Sequence, residues 1–111
     1  MDFKLEIIPI PVTDIDRAKA FYLDDAGFEL LVDHSAGEDF RVVQLNPLGS
    51  RCSIALMRNP EAAGSVQGLH LVVTDIEAAH LELTNRGVGT SGFHHFSESG
   101  QIDGLDPNRQ D

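Results

Sequence analysis

Residues 8–18 read IPIPVTDIDRA, and residues 69–79 read LHLVVTDIEAA, 61 positions further along the chain. Both copies carry the run Val-Thr-Asp-Ile with an alanine three positions after the isoleucine, and isoleucine faces leucine at two further positions. In each copy an extended apolar segment stops at Thr-Asp, and apolar residues then recur at helical spacing. A Thr or Asp side chain at that junction accepts hydrogen bonds from the unpaired N–H groups of a first helical turn. The repeat therefore predicts a strand followed by a helix, twice.

The elements that follow the first copy predict a complete βαβββ module. A chain of 111 residues has the size of one domain, so the two copies are halves of one fold. The two helices are predicted to end at Gly27 and Gly87, where a left-handed residue closes the last turn. Strand candidates separated by turn signals then follow the first helix, at residues 29–33, 40–45 and 52–57.

The second copy is followed by fewer strand candidates. The repeat offset places the equivalent of strand 40–45 at residues 101–106, QIDGLD, which read as a turn, and the equivalent of strand 52–57 beyond residue 111. Only residues 92–96, GFHHF, are a good strand candidate, and the last 15 residues read as loop. The second module is therefore expected to lack about its last two strands, as in a truncated chain. An unpaired strand edge of this kind favours a homodimer.

The repeated opening and the aromatic residues after it carry a family resemblance. The pattern V-T-D-I-x-x-A, the pair Phe21–Tyr22 and the step Gly27–Phe28 resemble the vicinal oxygen chelate superfamily, which contains glyoxalase I, bleomycin-resistance proteins and extradiol dioxygenases. The resemblance implies an α+β fold in which two βαβββ modules form a half-barrel cup with a ligand-binding concave face. The single domain then consists of module one, a linker and the incomplete module two, at residues 4–58, 59–67 and 68–111.

The same resemblance implies where metal ligands would lie. In metal-dependent members, each module supplies one ligand from its first strand and one from its last. His70 matches the first-strand position of module two, and strand alternation turns it away from Leu69 and Leu71. The corresponding positions of module one are Pro9 and Ala55, which have no donor atom. One ligand of four does not make a metal site, so no cofactor is expected, with a divalent metal at His70 as the alternative.

The favoured function is therefore a small-molecule-binding protein of the bleomycin-resistance type, associated with antibiotic resistance. The alternative is a metal-dependent lyase or isomerase resembling glyoxalase I, with His70 as one ligand and the others from missing strands or a partner chain. The residues expected to line the ligand cavity are Pro9, Pro11, Ser53, Ala55, Met57, His70 and Val72.

Composition limits the partners and the compartment. Eighteen acidic and eight basic residues give a net charge of -10, which repels nucleic acid and favours a cationic small molecule. No apolar run reaches the roughly 20 residues of a membrane-spanning helix. The N-terminus MDFKLEIIPI has no signal-peptide pattern, and the single Cys52 cannot form an internal disulfide. A cytoplasmic protein that contacts neither membrane nor nucleic acid is expected.

The other histidines carry no metal-binding pattern. His94 and His95 are neighbours on a predicted strand, so they point to opposite faces and cannot chelate one ion together. His34 and His80 are expected to be ordinary surface residues.

Overall fold

The computed structural model describes residues 1–98 and 100–107. The chain forms two compact units, which are the first unit, Met1–His70, and the second unit, Leu71–Asp111. Helices and mainly antiparallel strands occur together, so the predicted α+β class is confirmed. No helix in the described ranges is long and apolar enough to cross a membrane.

The first unit has the predicted βαβββ order. Its sheet has the strand order β1-β4-β3-β2, with β1 parallel to β4 and the other neighbours antiparallel. A helical crossover is what allows β1 and β4 to run in the same direction. The elements are β1 (Ile7–Val12), α1 (Ile15–Ala20), a π-helical turn (Phe21–Asp25), β2 (Glu29–Ala36), β3 (Phe40–Asn46) and β4 (Ser53–Arg58).

Helix α1 begins where the sequence predicts, and the helical segment that it opens ends near the predicted Gly27. Asp14 has extended backbone angles, and its Oδ1 accepts a hydrogen bond from the N–H of Arg17 at 3.1 Å. Asp16 adds a negative charge in the first turn, where the helix dipole is positive. The helical segment closes through the π-helical turn at Gly27, whose φ of 77° suits a residue without a Cβ.

The core of the first unit lies between one face of the sheet and α1. Because side chains alternate along a strand, every second residue of β1, β3 and β4 points to this face. The buried residues of this core are Ile10, Ile15, Val43, Leu45, Ile54 and Leu56. Tyr22, Leu23 and Val66 pack against them, so the helical segment and residue 66 of the expected linker cover the same side of the sheet.

The second unit contains α2 (Ile76–Asn85), β5 (His94–Ser97) and β6 (Gly100–Asp103), with β5 and β6 antiparallel. Asp75 caps α2 by accepting a hydrogen bond from the N–H of Ala78 at 3.1 Å. At the other end Gly87 has φ 84°, and the N–H of Val88 bonds to the carbonyl of Leu83 at 3.0 Å. This Schellman closure confirms the predicted helix end.

Two sequence expectations for the second copy of the repeat and the residues after it are wrong. Residues 69–73 were expected to form a strand but form none, because a strand needs a hydrogen-bonding neighbour and none of the described residues pairs with them. Residues 100–103 were expected to be loop but form β6, since main-chain pairing with β5 does not require apolar alternation. Ser99 and residues 108–111 of the expected terminal loop lie outside the described residues.

Candidate ligand-binding face

The sheet of the first unit has a second face, opposite α1, on which two neighbouring rows of side chains lie in register. In the first row Ala55 is paired with Pro9 on one side and with Gln44 on the other, and in the second row Met57 is paired with Pro11 and Val42. Strand β2 extends both rows. We call this surface the open face and define it by eight residues, Val32, Gln44, Ala55 and Pro9 in the first row and His34, Val42, Met57 and Pro11 in the second.

The open face is mainly apolar and partly accessible. Met57 retains 38% of its exposure, and Val32 and Pro9 are also exposed. Ala55 is 4% exposed because it lies at the centre of the first row, where it forms the floor of the surface. None of the eight residues is Asp, Glu, Lys or Arg. The surface therefore suits a molecule that is itself largely apolar.

A network of four charged side chains lies on the helix side of this sheet. Arg41 donates from Nε to Asp33 Oδ1 at 3.0 Å and from Nη1 to Asp16 Oδ1 at 2.6 Å, and Lys19 donates to Asp33 Oδ2 at 2.8 Å. Hydrogen bonds from Arg41 and then from Lys19 hold the pKa of Asp33 well below its usual range. The same pairing raises the pKa of Arg41. This network ties α1 to β2 and β3 and leaves the open face uncharged.

Most of the cavity residues expected from the sequence lie on this sheet face. Pro9, Pro11, Ala55 and Met57 belong to the open face itself. Ser53 lies on the same face of β4, but it is 4% exposed and its hydroxyl donates to Asn46 Oδ1 at 3.0 Å, which closes the turn between β3 and β4.

The two remaining expected cavity residues, His70 and Val72, lie in the segment that forms no strand. Both are exposed, and Val72 retains 97% of its exposure. Because His70 is not on a strand, strand alternation does not orient its side chain toward a cavity. Their contact with a ligand stays a prediction.

Two polar residues of the open face were not recognised as site residues in the sequence. Gln44 was not singled out, and His34 was expected to be an ordinary surface histidine. Within residues 1–98 and 100–107, neither side chain forms a hydrogen bond. The alternation of the strand at 40–45 was the available signal for Gln44, but the partner across β2 becomes known only from the register.

His80 also differs from the sequence expectation. It is half-buried, its Nε2 lies 3.0 Å from Thr90 Oγ1, and its ring centroid lies 4.7 Å from that of Phe93. It contributes to an apolar cavity of about 330 Å³ within the second unit. The other lining residues of that cavity are Leu71, Val73, Ile76, Ala79, Leu83, Thr90, Gly92, Phe93 and His94.

The residues present do not fit the metal site that the resemblance implies. Pro9 and Ala55 are direct register partners on the open face, so the two ligand positions of module one are adjacent, but neither side chain has a donor atom. The described part of the chain holds no group of three or more His, Cys, Asp or Glu side chains placed to bind one metal ion. His94 and His95 point apart as predicted, since the His94 ring lies edge-on to Phe96 while His95 contacts the carbonyl of Gly104.

Comparison with known proteins identifies the family. The family model of the Glyoxalase/Bleomycin resistance protein/Dioxygenase superfamily matches residues 4–103. The chain belongs to this superfamily. The match spans both copies of the repeat and confirms the resemblance inferred from the V-T-D-I-x-x-A pattern.

Solved structures of this superfamily resemble the chain closely. TnmS3, an antibiotic binding protein from Streptomyces sp. CB03234, is 33% identical over 79% of this chain and 74% of its own, with a TM-score of 0.69. A glyoxalase/bleomycin resistance protein from the same organism is 35% identical over 78% and 76%, with a TM-score of 0.66. A superfamily member from Sphaerobacter thermophilus DSM 20745 is 27% identical over 91% and 85%, with a TM-score of 0.68. No curated protein matches the chain.

Proposed function

We propose that this glyoxalase-superfamily protein binds an apolar small molecule on the open face without transforming it, as an antibiotic-binding protein does. The observation that carries the proposal is the open face itself, an uncharged apolar surface at the centre of a four-stranded sheet. Support also comes from TnmS3, which is described as an antibiotic binding protein and is 33% identical to this chain.

The side chains of the open face favour binding of a ligand over catalysis. Covering about 200 Å² of apolar surface contributes roughly 5 kcal/mol, before the loss of ligand freedom is subtracted. Pro9 and Pro11 have fixed φ angles, so this part of the surface is rigid before a ligand arrives. The eight residues include no carboxylate and no thiol, and the one histidine among them, His34, has no hydrogen-bonded partner among the described residues that would orient it as a general base.

The test is the binding of N-phenylnaphthylamine, an uncharged fluorophore, to the protein and to a variant with a charge on the open face. Met57→Asp should weaken binding by about tenfold or more, because the apolar probe would cover an ionised carboxylate. Leu48→Asp is the matched control, since Leu48 is exposed in the turn between β3 and β4. Equal binding by both variants and the parent protein would contradict the proposal.

We also infer that the protein is a cytoplasmic homodimer. The two-stranded sheet of β5 and β6 supports the dimer, because a sheet of two strands is marginal alone and its outer edges pair with no strand in the described ranges. A metal-dependent lyase or isomerase is the alternative function. It would require a second chain to add ligands to His70, and metal analysis of the protein and of His70→Ala separates the two functions.

A further inference from the structure

We propose that the open face selects an uncharged ligand and that Gln44 and His34 are its specificity-determining residues, which bind a carbonyl, hydroxyl or amide group of that ligand. The inference rests on the proposed function and adds the ligand's chemical class and the two side chains that recognise it. It departs from the cationic ligand that the net charge of -10 favours.

Gln44 lies at the centre of the open face, between Val32 of β2 and Ala55 of β4. Its side chain is half-buried, and no described residue offers its amide a hydrogen bond. A ligand that covered this amide without forming a hydrogen bond to it would remove the amide's hydrogen bonds to water and supply none in return. This loss carries a free-energy penalty. Gln44 therefore discriminates in favour of a ligand with a hydrogen-bonding group above the first row.

His34 provides a second polar group within reach of the same ligand. It pairs with Val42, the residue two positions before Gln44 on β3, so His34 and Gln44 are diagonal neighbours on one face. Diagonal residues of an antiparallel pair lie about 7–8 Å apart, which long side chains and rings can bridge. The Gln44 amide both donates and accepts, as the neutral imidazole also does, so together they fit a carbonyl, hydroxyl or amide.

The distribution of charge argues against a cationic ligand at this surface. Asp33 and Asp16 lie on the helix side of the sheet, where they form ion pairs with Arg41 and Lys19. On the open side of the sheet the next row contains Glu29, which is the register partner of Asn46. A cation placed over the two rows would lose its water without a carboxylate in either row to pair with it, and Glu29 is one row away.

The experiment compares four naphthalene derivatives that carry different groups at the same ring position. They are methylnaphthalene, naphthamide, the cation of aminomethylnaphthalene and the naphthoate anion. Binding is measured from amide NMR shifts of the labelled full chain. Naphthamide should bind about tenfold more tightly than either charged probe. Gln44→Met, which keeps the length of the side chain and removes its amide, should weaken naphthamide by about fivefold and leave methylnaphthalene within about twofold. His34→Leu should have a smaller effect in the same direction.

The controls separate the possible failures. Glu29→Gln should leave naphthamide binding unchanged. If the cation binds most tightly and Glu29→Gln weakens it, a carboxylate selects the ligand and the inference is wrong. If Gln44→Met weakens methylnaphthalene as much as naphthamide, Gln44 serves packing alone. If methylnaphthalene shifts the amide NMR signals of the open face but naphthamide binds no more tightly than methylnaphthalene, the inference fails and the proposed function stands. Absence of binding by methylnaphthalene and naphthamide alike contradicts the proposed function as well.

Discussion

Asp33 points to the helix side of the sheet, whereas both of its neighbours in sequence point to the open face. It follows Val32 and precedes His34. Its carboxylate accepts hydrogen bonds from Arg41 and Lys19. A shift of the register by one residue would exchange these environments and bring an acid to the open face. The ion network therefore also stabilises the register that keeps the open face uncharged.

The ion network predicts a pH dependence of stability. Because the folded pKa of Asp33 is depressed, its contribution is present above the unfolded value of about 3.9 and is lost as pH falls below it. Asp33→Asn should be less stable than the parent protein near neutral pH, and its free energy of unfolding should fall less between about pH 4 and pH 2. Urea unfolding at several pH values measures this. If the free energy of unfolding depended on pH in the same way in both proteins, the ion pairs of Asp33 would contribute nothing to stability.

Residues of the candidate site differed in how well the sequence predicted them. The family resemblance assigned Pro9, Ala55 and Met57 to one cavity, and the three lie on one face of the sheet because the period of a strand is strictly two. Gln44 and His34 were missed, since their proximity depends on pairing between two strands and on a register shift between Leu30 and Val32. No local pattern encodes that shift.

At the scale of elements, the Thr-Asp junction caps the start of a helix in both copies of the repeat. Asp14 and Asp75 each have extended backbone angles and accept a hydrogen bond from the N–H three residues later. The strands before them behave differently, because β1 pairs with β4 whereas residues 69–73 pair with no described strand. A helix start is a local interaction that sequence predicts well, while a strand requires a distant partner.

The cap predicts a measurable loss of stability in the first unit. Asp14→Ala removes the acceptor for the N–H of Arg17, and it should lower the free energy of unfolding by about 1 kcal/mol. Helix α1 spans only six residues, so the lost bond affects a large part of it. Urea unfolding with Asp2→Ala as the control tests this, because Asp2 is exposed and precedes β1. An equal effect of both substitutions would assign the change to net charge.

At the scale of the whole molecule, the repeat places equivalent apolar residues in two environments. In the first unit Ile10, Val12, Ile15, Ala18 and Tyr22 pack with the buried residues of β3 and β4. In the second unit the equivalent residues line the open cavity of about 330 Å³, namely Leu71, Val73, Ile76, Ala79 and Leu83. Leaving such residues accessible is unfavourable in water, and we expect the proposed homodimer to cover them.

Native mass spectrometry of the full chain tests the proposed homodimer and measures the metal content in the same experiment. We expect a dimer without bound metal. Val73→Asp should weaken the dimer by about tenfold or more, because it places a charge in the cavity lining. Leu81→Asp is the matched control, since Leu81 is 60% exposed on α2 and does not line the cavity. A monomer would contradict the dimer, and one metal per dimer that is lost in His70→Ala would favour the lyase or isomerase.

The sequence by itself determined the βαβββ order of the first unit, both helices with their capped starts and glycine ends, and the superfamily. These features follow from periodicities and caps that act within a few residues of each other. Only the tertiary structure decided that residues 69–73 form no strand, that residues 100–103 form one, and that Gln44 and His34 share an uncharged surface. Strand pairing, register and the side of the sheet on which a charge lies depend on residues distant in sequence, and so they emerge only when the chain is folded.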